Sequence, residues 1–257
     1  MRAVILAGGS GTRLAPFTTV IPKPLMPVGG MPILEIIIRQ LHFHGFDDIV
    51  LSVGYLADLI TAIFGDGRKL GVKITYVHEQ SPLGTAGPLS LVPPTRQPLL
   101  VMNADVLSTV NYSSLYAHHI NSGAMLTISL HTLRHHVDLG VITVGERSRV
   151  VEYREKPSFD YKVSMGVYVV APAVHALVRR AGGPLNFPDL VERLIREDKP
   201  VAGYSAGGYW LDIGRQAQYE QACADFEQLR DQFLAPPPAD ESPEPPHIFA
   251  TPAVAAS

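Results

Sequence analysis

The sequence has little of what builds cross-linked or metal-stapled folds. It contains one cysteine, Cys223, among 257 residues, which excludes an internal disulfide and argues against a cysteine-based metal cluster. The ten histidines include three close pairs, but none follows a metal-binding spacing such as H-E-x-x-H. We therefore expect the cysteine to be buried packing and most histidines to be surface groups or hydrogen-bonded partners.

Long apolar runs and a strong net charge are also missing. No uninterrupted apolar stretch approaches the roughly 20 residues of a membrane-spanning helix, and the N-terminal run "AVILA" is shorter than the apolar region of a signal peptide. Lys and Arg number 21 against 24 Asp and Glu, so no overall field favours nucleic acid or an anionic membrane. We expect a soluble, cytoplasmic protein, a possible homo-oligomer, that holds any anionic ligand by local geometry.

Short apolar runs recur along the first half of the chain and alternate with segments of helical apolar spacing. This alternation is typical of βαβ units and predicts an α/β fold with a mostly parallel sheet covered on both faces. After about residue 123 strand-like segments follow one another, which predicts antiparallel or mixed strands. The strands are predicted at 3–6, 49–53, 72–77, 99–102, 124–130, 140–144, 150–155, 162–170 and 201–205, and the helices at 33–41, 56–64, 173–180, 188–197 and 216–234.

The chain is long enough for one large α/β domain or two small ones, and we detect no internal repeat. We place one domain at residues 1–234. The segment 235–257, "APPPADESPEPPHIFATPAVAAS", is rich in proline and poor in core-forming residues, so it is predicted to be a disordered or loosely docked tail. Partner binding by this tail is an alternative, but the composition favours a flexible end.

A glycine-rich loop follows the first predicted strand in "LAGGSGTRLAPFT". Gly8, Gly9 and Gly11 can present backbone N–H groups to an anion such as phosphate, although a plain tight turn would use the same residues. The loop fits neither Walker A nor the dinucleotide fingerprint. Two cations favour the phosphate interpretation, because Arg13 follows the loop and Lys23 lies between two prolines in "IPKP", predicted to be an extended segment.

These motifs resemble the signature of the sugar-1-phosphate nucleotidylyltransferases, also called NDP-sugar pyrophosphorylases. The resemblance continues in order through "PKPLMPVGGMPILE", "PLGTAGPL", "MNADV", "GVI", "EKP", "MGVYVV" and "YWLDIG", and the "PLGTAGPL" form is most similar to the mannose-1-phosphate and heptose-1-phosphate guanylyltransferases. It implies a Rossmann-like mixed, mostly parallel sheet flanked by helices. It also implies transfer of a nucleotidyl group from a nucleoside triphosphate to a sugar 1-phosphate, with release of pyrophosphate.

The resemblance assigns phosphate and metal roles to four residues. Arg13 would stabilise the leaving β- and γ-phosphates and Lys23 the α-phosphate, while Asp105 and Asp212 would hold Mg²⁺ or Mn²⁺. Taken alone, Asp105 would be read as a turn or helix cap. The implied catalytic residues are Arg13, Lys23 and Asp105, and the implied nucleotide-binding residues are Leu6, Ala7, Gly8, Gly9, Gly11, Thr12, Arg13, Glu79, Gly84 and Thr85.

A second group is implied to bind the sugar phosphate. Lys156 would contact its phosphate, Glu155 would accept from sugar hydroxyls, and Gly140 and Trp210 would border the sugar; without the resemblance, Glu155 and Lys156 read as an exposed strand pair. Ser164 stands where the family usually has asparagine, and Ala104 stands where it usually has glycine. A hydroxyl presents one donor where an amide presents two, so we expect a substrate other than glucose 1-phosphate, with mannose, heptose or cyclitol phosphates as candidates.

The base preference rests on Glu79, which the resemblance places where thymidylyl- and uridylyl-transferring members carry glutamine. A carboxylate only accepts hydrogen bonds, which suits the two adjacent donors of guanine and predicts GTP. A solvated strand-end glutamate is the alternative. Three other functions stay open: a thymidylyl- or uridylyltransferase acting on glucose 1-phosphate, a catalytically silent regulatory paralogue that binds nucleotide sugar, and a nicotinamide-dependent oxidoreductase, which the failed fingerprint disfavours.

Overall fold

The computed structural model describes residues 1–9 and 11–234. Within them, a seven-stranded sheet has the order β12-β8-β11-β6-β1-β4-β5. The strands are β1 (Arg2–Ala7), β2 (Pro27–Val28), β3 (Met31–Pro32), β4 (Asp48–Val53), β5 (Lys73–His78), β6 (Leu99–Asn103), β7 (Val106–Ser108), β8 (Leu126–His136), β9 (Val141–Val144), β10 (Val150–Arg154), β11 (Ser158–Val170), β12 (Val201–Ser205) and β13 (Trp210–Asp212). The helices are α1 (Ile33–Phe43), α2 (Ala57–Phe64), α3 (Tyr112–Ser122), α4 (Pro172–Ala181), α5 (Phe187–Arg196) and α6 (Gln216–Phe233).

The sheet is mostly parallel, as the alternating pattern predicts. Strands β6, β1, β4 and β5 are parallel neighbours, and β12 is parallel to β8. Strand β11 is antiparallel to both of its neighbours, β6 and β8. The predicted α/β class, with a mixed and mostly parallel Rossmann-like sheet, is therefore confirmed.

Two hydrophobic clusters cover the two faces of the sheet. Along β1 the side chains alternate between them, with Ala3 and Ile5 in one cluster and Val4 in the other, as the period-2 geometry of a strand requires. Helices α1 and α6 pack into the first cluster, and α4 and α5 into the second. Full burial of one such aliphatic side chain stabilises the fold by about 1.5–3 kcal/mol. Because β1 is buried on both faces, it is held firmly in the sheet, and the glycine loop starts from a fixed point at its end.

The later strands extend beyond the main sheet. The outer halves of β8 and β11 pair with each other from Ser158↔His136 to Val163↔His131, and β9 and β10 form a separate hairpin between them. We call residues 131–163 the strand extension. Its residues are mostly exposed, and they include Gly140, Glu155 and Lys156.

Three features differ from the sequence-based expectations or lie beyond them. The short strands β2, β3, β7 and β13 were not predicted. Helix α3 was not predicted, because its surface is mostly polar and only Tyr112, Leu115 and His119 are buried. It begins after Asn111, whose side chain accepts a 2.9 Å hydrogen bond from the backbone N–H of Ser114, a helix cap. The proposed tail, 235–257, lies outside the described residues. Among the described helices, none is long and apolar enough to cross a membrane.

Candidate active site

The carboxyl ends of the parallel strands bring three distant segments together. Ala7 pairs with Val53, Val53 with His78, and Leu6 with Asn103, so the segments that follow these strands leave the same edge of the sheet. They carry the glycine loop, Glu79 and Asp105. Ligands bind at this edge in open α/β sheets, and most of the predicted nucleotide-side residues lie here.

The glycine loop packs directly against Lys23. Gly11 has φ +63°, and a methyl group there would lie 3.0 Å from Cγ2 of Thr18 and 3.1 Å from Cβ of Lys23. The Gly11 carbonyl accepts hydrogen bonds from the Thr18 hydroxyl and the Leu14 N–H, both at 2.9 Å. Only glycine fits this left-handed, crowded position without strain. By contrast, a methyl group on Gly9 would meet no atom of the described residues within 4 Å, its chain neighbours aside, and Thr12 and Arg13 are exposed.

Lys23 forms an ion pair with Asp105. Its ammonium contacts Oδ2 of Asp105, and the lysine is only 8% exposed. The prediction of an extended segment around Lys23 is wrong, because residues Lys23–Leu25 form a 3-10 turn. Pro24 is tolerated there because the first turn of a helix leaves its N–H groups without internal partners. The turn buries the lysine and directs it towards the end of β6.

The pairing of β13 with β7 brings Asp212 beside Asp105. Asp212 lies opposite Val106, and the N–H of Ile213 donates to the Asp105 carbonyl over 3.0 Å. Partial burial raises the pKa of Asp212, and the Asp105 charge raises it further, while Lys23 and Arg13 lower it. The four predicted charged residues therefore share one electrostatic environment.

Asp105 and Asp212 offer oxygen ligands of the kind that a divalent cation such as Mg²⁺ takes. Oδ1 of Asp105 is buried and has no hydrogen-bond partner among the described residues, which is the state of an oxygen available as a ligand. No group of three or more potential protein ligands occurs in the described chain. Mg²⁺ is commonly held by one or two carboxylates plus substrate phosphates and waters, so two carboxylates suffice for that kind of site.

A cleft of about 210 Å³ opens beside Asp212. Its walls are Arg13, Trp210, Leu211, Asp212, Gly214, Arg215 and Gln218. A methyl group on Gly214 would lie 3.6 Å from Nη1 of Arg13, so the guanidinium lies over this glycine. Arg215, which directly follows the "YWLDIG" motif, and Gln218, four residues beyond its last glycine, were not among the predicted site residues. A larger cavity, about 340 Å³, lies between α4 and residues 94–95 and contains none of the predicted site residues.

Glu79 lies against the glycine loop. Its Oε1 accepts a hydrogen bond from the Ser52 hydroxyl at 2.8 Å, and Oε2 accepts one from the Leu83 N–H at 3.4 Å. A methyl group on Gly8 would overlap the same carboxylate. Ser52 is buried in β4, and no sequence motif pointed to it. These contacts fix the carboxylate at the end of β1.

The segment with Gly84 and Thr85 is attached to α5. Oγ1 of Thr85 accepts a 2.9 Å hydrogen bond from the N–H of Phe187, the first residue of that helix. Gly84 has φ +76°, and a methyl group there would crowd the Leu185 carbonyl at 2.7 Å. These contacts give both residues a structural role, and their contact with nucleotide stays a prediction.

Gly140 and Glu155 meet through Tyr153 in the strand extension. The Tyr153 hydroxyl donates to Oε2 of Glu155 at 2.6 Å, which raises the pKa of Tyr153, and a methyl group on Gly140 would overlap the tyrosine ring. Lys156, between β10 and β11, has φ +44°, a left-handed conformation that is costly for a residue with a Cβ. No hydrogen bond or ion pair in the described ranges joins this group to Asp105.

Trp210 and Ser164 lie near the irregularity in β11. The Trp210 indole N–H donates to the Met165 carbonyl at 3.1 Å. The Ser164 hydroxyl lies 3.1 Å from the Tyr168 hydroxyl and accepts a 3.4 Å hydrogen bond from the Gly166 N–H. The register of β11 with β8 shifts between Ser164 and Tyr168. Ser164 is therefore already hydrogen-bonded within this bulge.

Curated relatives resemble the chain over most of its length. The mannose-1-phosphate guanylyltransferase catalytic subunit beta of Danio rerio is 30% identical, covering 90% of this chain and 66% of that protein. A mannose-1-phosphate guanylyltransferase of Mycobacterium tuberculosis is 31% identical, covering 92% of this chain and 66% of that protein. A UTP–glucose-1-phosphate uridylyltransferase of Synechocystis is 30% identical, covering 86% of this chain and 62% of that protein. The chain spans slightly less than two thirds of the length of these three relatives.

Solved structures share the fold. A putative glucose-1-phosphate thymidylyltransferase from Bacillus anthracis in complex with a sucrose has a TM-score of 0.71 at 24% identity, covering 91% of this chain and 99% of the other. HddC from Yersinia pseudotuberculosis complexed with GMP-PN has a TM-score of 0.66 at 24% identity, covering 88% and 99%. The sequence profile described as "Nucleotidyl transferase" matches residues 2–228. The chain therefore belongs to the nucleotidyl transferase family, which confirms the resemblance carried by its motifs.

Proposed function

We propose that this protein transfers a nucleotidyl group from a nucleoside triphosphate to a sugar 1-phosphate. A phosphate oxygen of the sugar phosphate would bond to the α-phosphorus, while the bond to the bridging oxygen breaks and pyrophosphate leaves with the electron pair. Two polyanions must meet, so the protein has to neutralise charge and fix orientation. The observation that carries the proposal is the cluster of Arg13, Lys23, Asp105 and Asp212 beside the glycine loop.

The charged residues have distinct roles in this proposal. Arg13, exposed at the end of the loop, would contact the β- and γ-phosphates, and Lys23 would exchange its contact with Asp105 for the α-phosphate. Asp105 and Asp212 would hold Mg²⁺ or Mn²⁺, which neutralises charge on the phosphates. Because the fold already brings Lys23, Asp105 and Asp212 together before substrate arrives, these charges would need little rearrangement of the backbone to act on the phosphates.

GTP is the proposed nucleotide because of how Glu79 is held. A carboxylate offers about four acceptor positions, and the Ser52 hydroxyl and the Leu83 N–H occupy one on each oxygen. Both oxygens of Glu79 can therefore still accept from guanine, which presents N1–H and the exocyclic amine side by side. Uracil and thymine present carbonyl oxygens on either side of their N–H, and the carboxylate would repel them. Relatives named for guanylyl transfer and for uridylyl transfer both occur, so the base is decided by experiment.

The sugar phosphate is proposed to bind between the strand extension and Trp210. Lys156 would contact its phosphate, and Glu155, held by Tyr153, would accept from sugar hydroxyls. Because Ser164 is engaged within the β11 bulge, it offers less to the sugar than a free amide would. Mannose, heptose and cyclitol phosphates remain the proposed substrates.

A substrate matrix tests the proposal. The protein with Mg²⁺ is incubated with ATP, GTP, UTP or dTTP against mannose, heptose, glucose and cyclitol phosphates, and pyrophosphate release and product mass are measured. We expect pyrophosphate only when both substrates are present, with GTP preferred. A preference for UTP or dTTP would refute guanylyl transfer, and efficient use of glucose 1-phosphate alone would refute the sugar assignment. No turnover with any pair would support the silent regulatory paralogue.

A further inference from the structure

Gln218 presents a buried polar atom that the protein itself does not satisfy. Its Oε1 has no hydrogen-bond partner among the described residues, although its side chain lines the cleft beside Arg13 and Arg215. Buried polar atoms are almost always hydrogen-bonded, and leaving one unpaired lowers stability. An unpaired amide in the wall of a cleft therefore needs an explanation.

Helix capping does not supply that explanation. Gln218 is the third residue of α6, the position from which a glutamine can bond back to the residue preceding the helix. Arg215 precedes this helix, but Oε1 of Gln218 makes no such bond. The unpaired oxygen can only accept a hydrogen bond, and the guanidinium groups of Arg13 and Arg215, which line the same cleft, are donors of the kind that would satisfy it.

The surroundings of Gln218 suit a multiply charged anion. The N-terminus of α6, an 18-residue helix, leaves N–H groups without helical partners and carries partial positive charge. Within the described chain, neither Arg13 nor Arg215 takes part in an ion pair. Asp212 is the only acidic residue in the cleft lining, and a divalent cation at Asp212 would offset its charge.

We propose that Arg215, Gln218 and the N-terminus of α6 bind the two terminal phosphates of the nucleoside triphosphate, and pyrophosphate after transfer. Arg215 contacts phosphate oxygens opposite Arg13. Gln218 is a positioning residue: when phosphate binds, its Oε1, which has no partner among the described residues of the ligand-free protein, accepts a guanidinium N–H and orients that group towards the phosphates. This inference rests on the proposed function, and it adds a second arginine to the leaving-group side of the site.

Binding of inorganic pyrophosphate tests the contact without base or sugar. Isothermal titration calorimetry with Mg²⁺ compares the wild type with Arg215→Ala and with Arg196→Ala, an exposed arginine on α5 outside the cleft. We expect at least about tenfold weaker binding for Arg215→Ala and wild-type binding for Arg196→Ala. Equal losses in both variants, or no binding by the wild type, would overturn the inference.

Gln218→Leu separates a binding role from a structural one. Removal of the unpaired amide should raise the melting temperature of the ligand-free protein, while pyrophosphate binds about fivefold more weakly. Gln221→Leu, on the exposed side of the same helix where Gln221 donates to Asp225, should leave binding unchanged. A lower melting temperature with unchanged binding in Gln218→Leu would show a structural residue and overturn the inference.

Turnover assays then distinguish the two proposals. If the wild type releases pyrophosphate from a substrate pair and Arg215→Ala has an unchanged KM for the triphosphate, this inference alone fails. If no substrate pair reacts but Arg215→Ala still weakens pyrophosphate binding, the proposed function fails and the anion site stands.

Discussion

Lys23 and Asp105, 82 residues apart, form an ion pair that joins the segment after the glycine loop to the end of β6. The contact engages Oδ2 of Asp105 and leaves the buried Oδ1 without a partner among the described residues. One carboxylate therefore holds the lysine in place and keeps a second oxygen available for a cation. Both groups are positioned before substrate arrives, as electrostatic preorganisation requires.

Separating this pair should reduce stability as well as activity. Asp105→Asn leaves the nearly buried Lys23 ammonium without its counter-charge, so we expect a loss of about 2 kcal/mol in the free energy of unfolding. Lys23→Met should also raise the apparent KM for the triphosphate at least about tenfold. Urea unfolding of both single variants and the double variant measures the coupling. Fully additive losses would contradict a direct Lys23–Asp105 interaction.

Asp212→Asn should also reduce activity, but without reducing stability. Burial and the nearby Asp105 raise the pKa of Asp212, which means that the folded protein disfavours its charged form. We therefore expect Asp212→Asn to lose most of its nucleotidyl transfer while the free energy of unfolding at pH 7 stays equal or rises. Kinetics at saturating Mg²⁺ and urea unfolding provide the measurement. Near wild-type turnover in the folded variant would rule out the shared-metal role.

The sequence predicts the longer strands of the central sheet better than the contacts of this site, and the short strands β7 and β13 were not predicted. Strand β1 has a distinctive apolar run and β12 matches its predicted bounds, because local hydrophobic patterns determine both. The approach of Asp212 to Asp105 depends on the pairing of β13 with β7, a long-range register that no local pattern encodes. Ser52 and Gln218 were missed for the same reason, since each becomes notable only through the groups that it faces.

Acid should destabilise the protein partly through His175. This histidine on α4 is buried, and its Nε2 lies 3.0 Å from the Leu89 carbonyl. Burial, and to a lesser degree Arg179, lower its pKa, although the Leu89 carbonyl opposes the shift. In the unfolded chain the histidine has a pKa near 6.5, so it takes up a proton at a higher pH than His175 does in the folded protein. The free energy of unfolding therefore falls as the pH drops below about 6.5, until the lowered pKa of the folded state is reached.

The measurement is the free energy of unfolding at pH 7.5 and 5.5. His175→Gln keeps a donor for the Leu89 carbonyl and does not titrate. Its free energy of unfolding should therefore fall less between pH 7.5 and 5.5 than that of the wild type. His135→Gln, on the exposed part of β8, should keep the wild-type dependence. An equal loss in wild type and His175→Gln would contradict a buried neutral His175.

Glu79→Gln should narrow the discrimination between nucleotides. The amide replaces one acceptor oxygen with a donor, so GTP loses part of its paired contact while UTP and dTTP gain a matching edge. We expect GTP kcat/KM to fall about tenfold or more relative to UTP. Ser52→Ala, which frees Oε1 of Glu79, should weaken GTP use less and should not improve UTP. Competition between equimolar triphosphates measures the ratio, and an unchanged ratio in Glu79→Gln would remove Glu79 from base recognition.

Lys156→Gly should separate backbone strain from substrate binding. Lys156 has φ +44°, where a Cβ costs about 1–2 kcal/mol, while glycine adopts this conformation freely and loses about 0.5–1 kcal/mol in chain entropy. Stability should therefore stay equal or rise slightly, while the apparent KM for the sugar phosphate rises at least about tenfold through loss of the ammonium. Lys156→Ala should lose the same binding without the gain in stability, because it retains a Cβ. Lys162→Ala, which removes another exposed lysine of the strand extension that bonds to Thr132, should leave this KM unchanged.

Steady-state kinetics with each substrate varied in turn decides the assignment. Equal effects of Lys156→Gly on the KM values for the triphosphate and the sugar phosphate would argue against a dedicated sugar-phosphate contact. A clear fall in the free energy of unfolding of Lys156→Gly would mean that the lysine side chain packs against the fold instead of facing substrate.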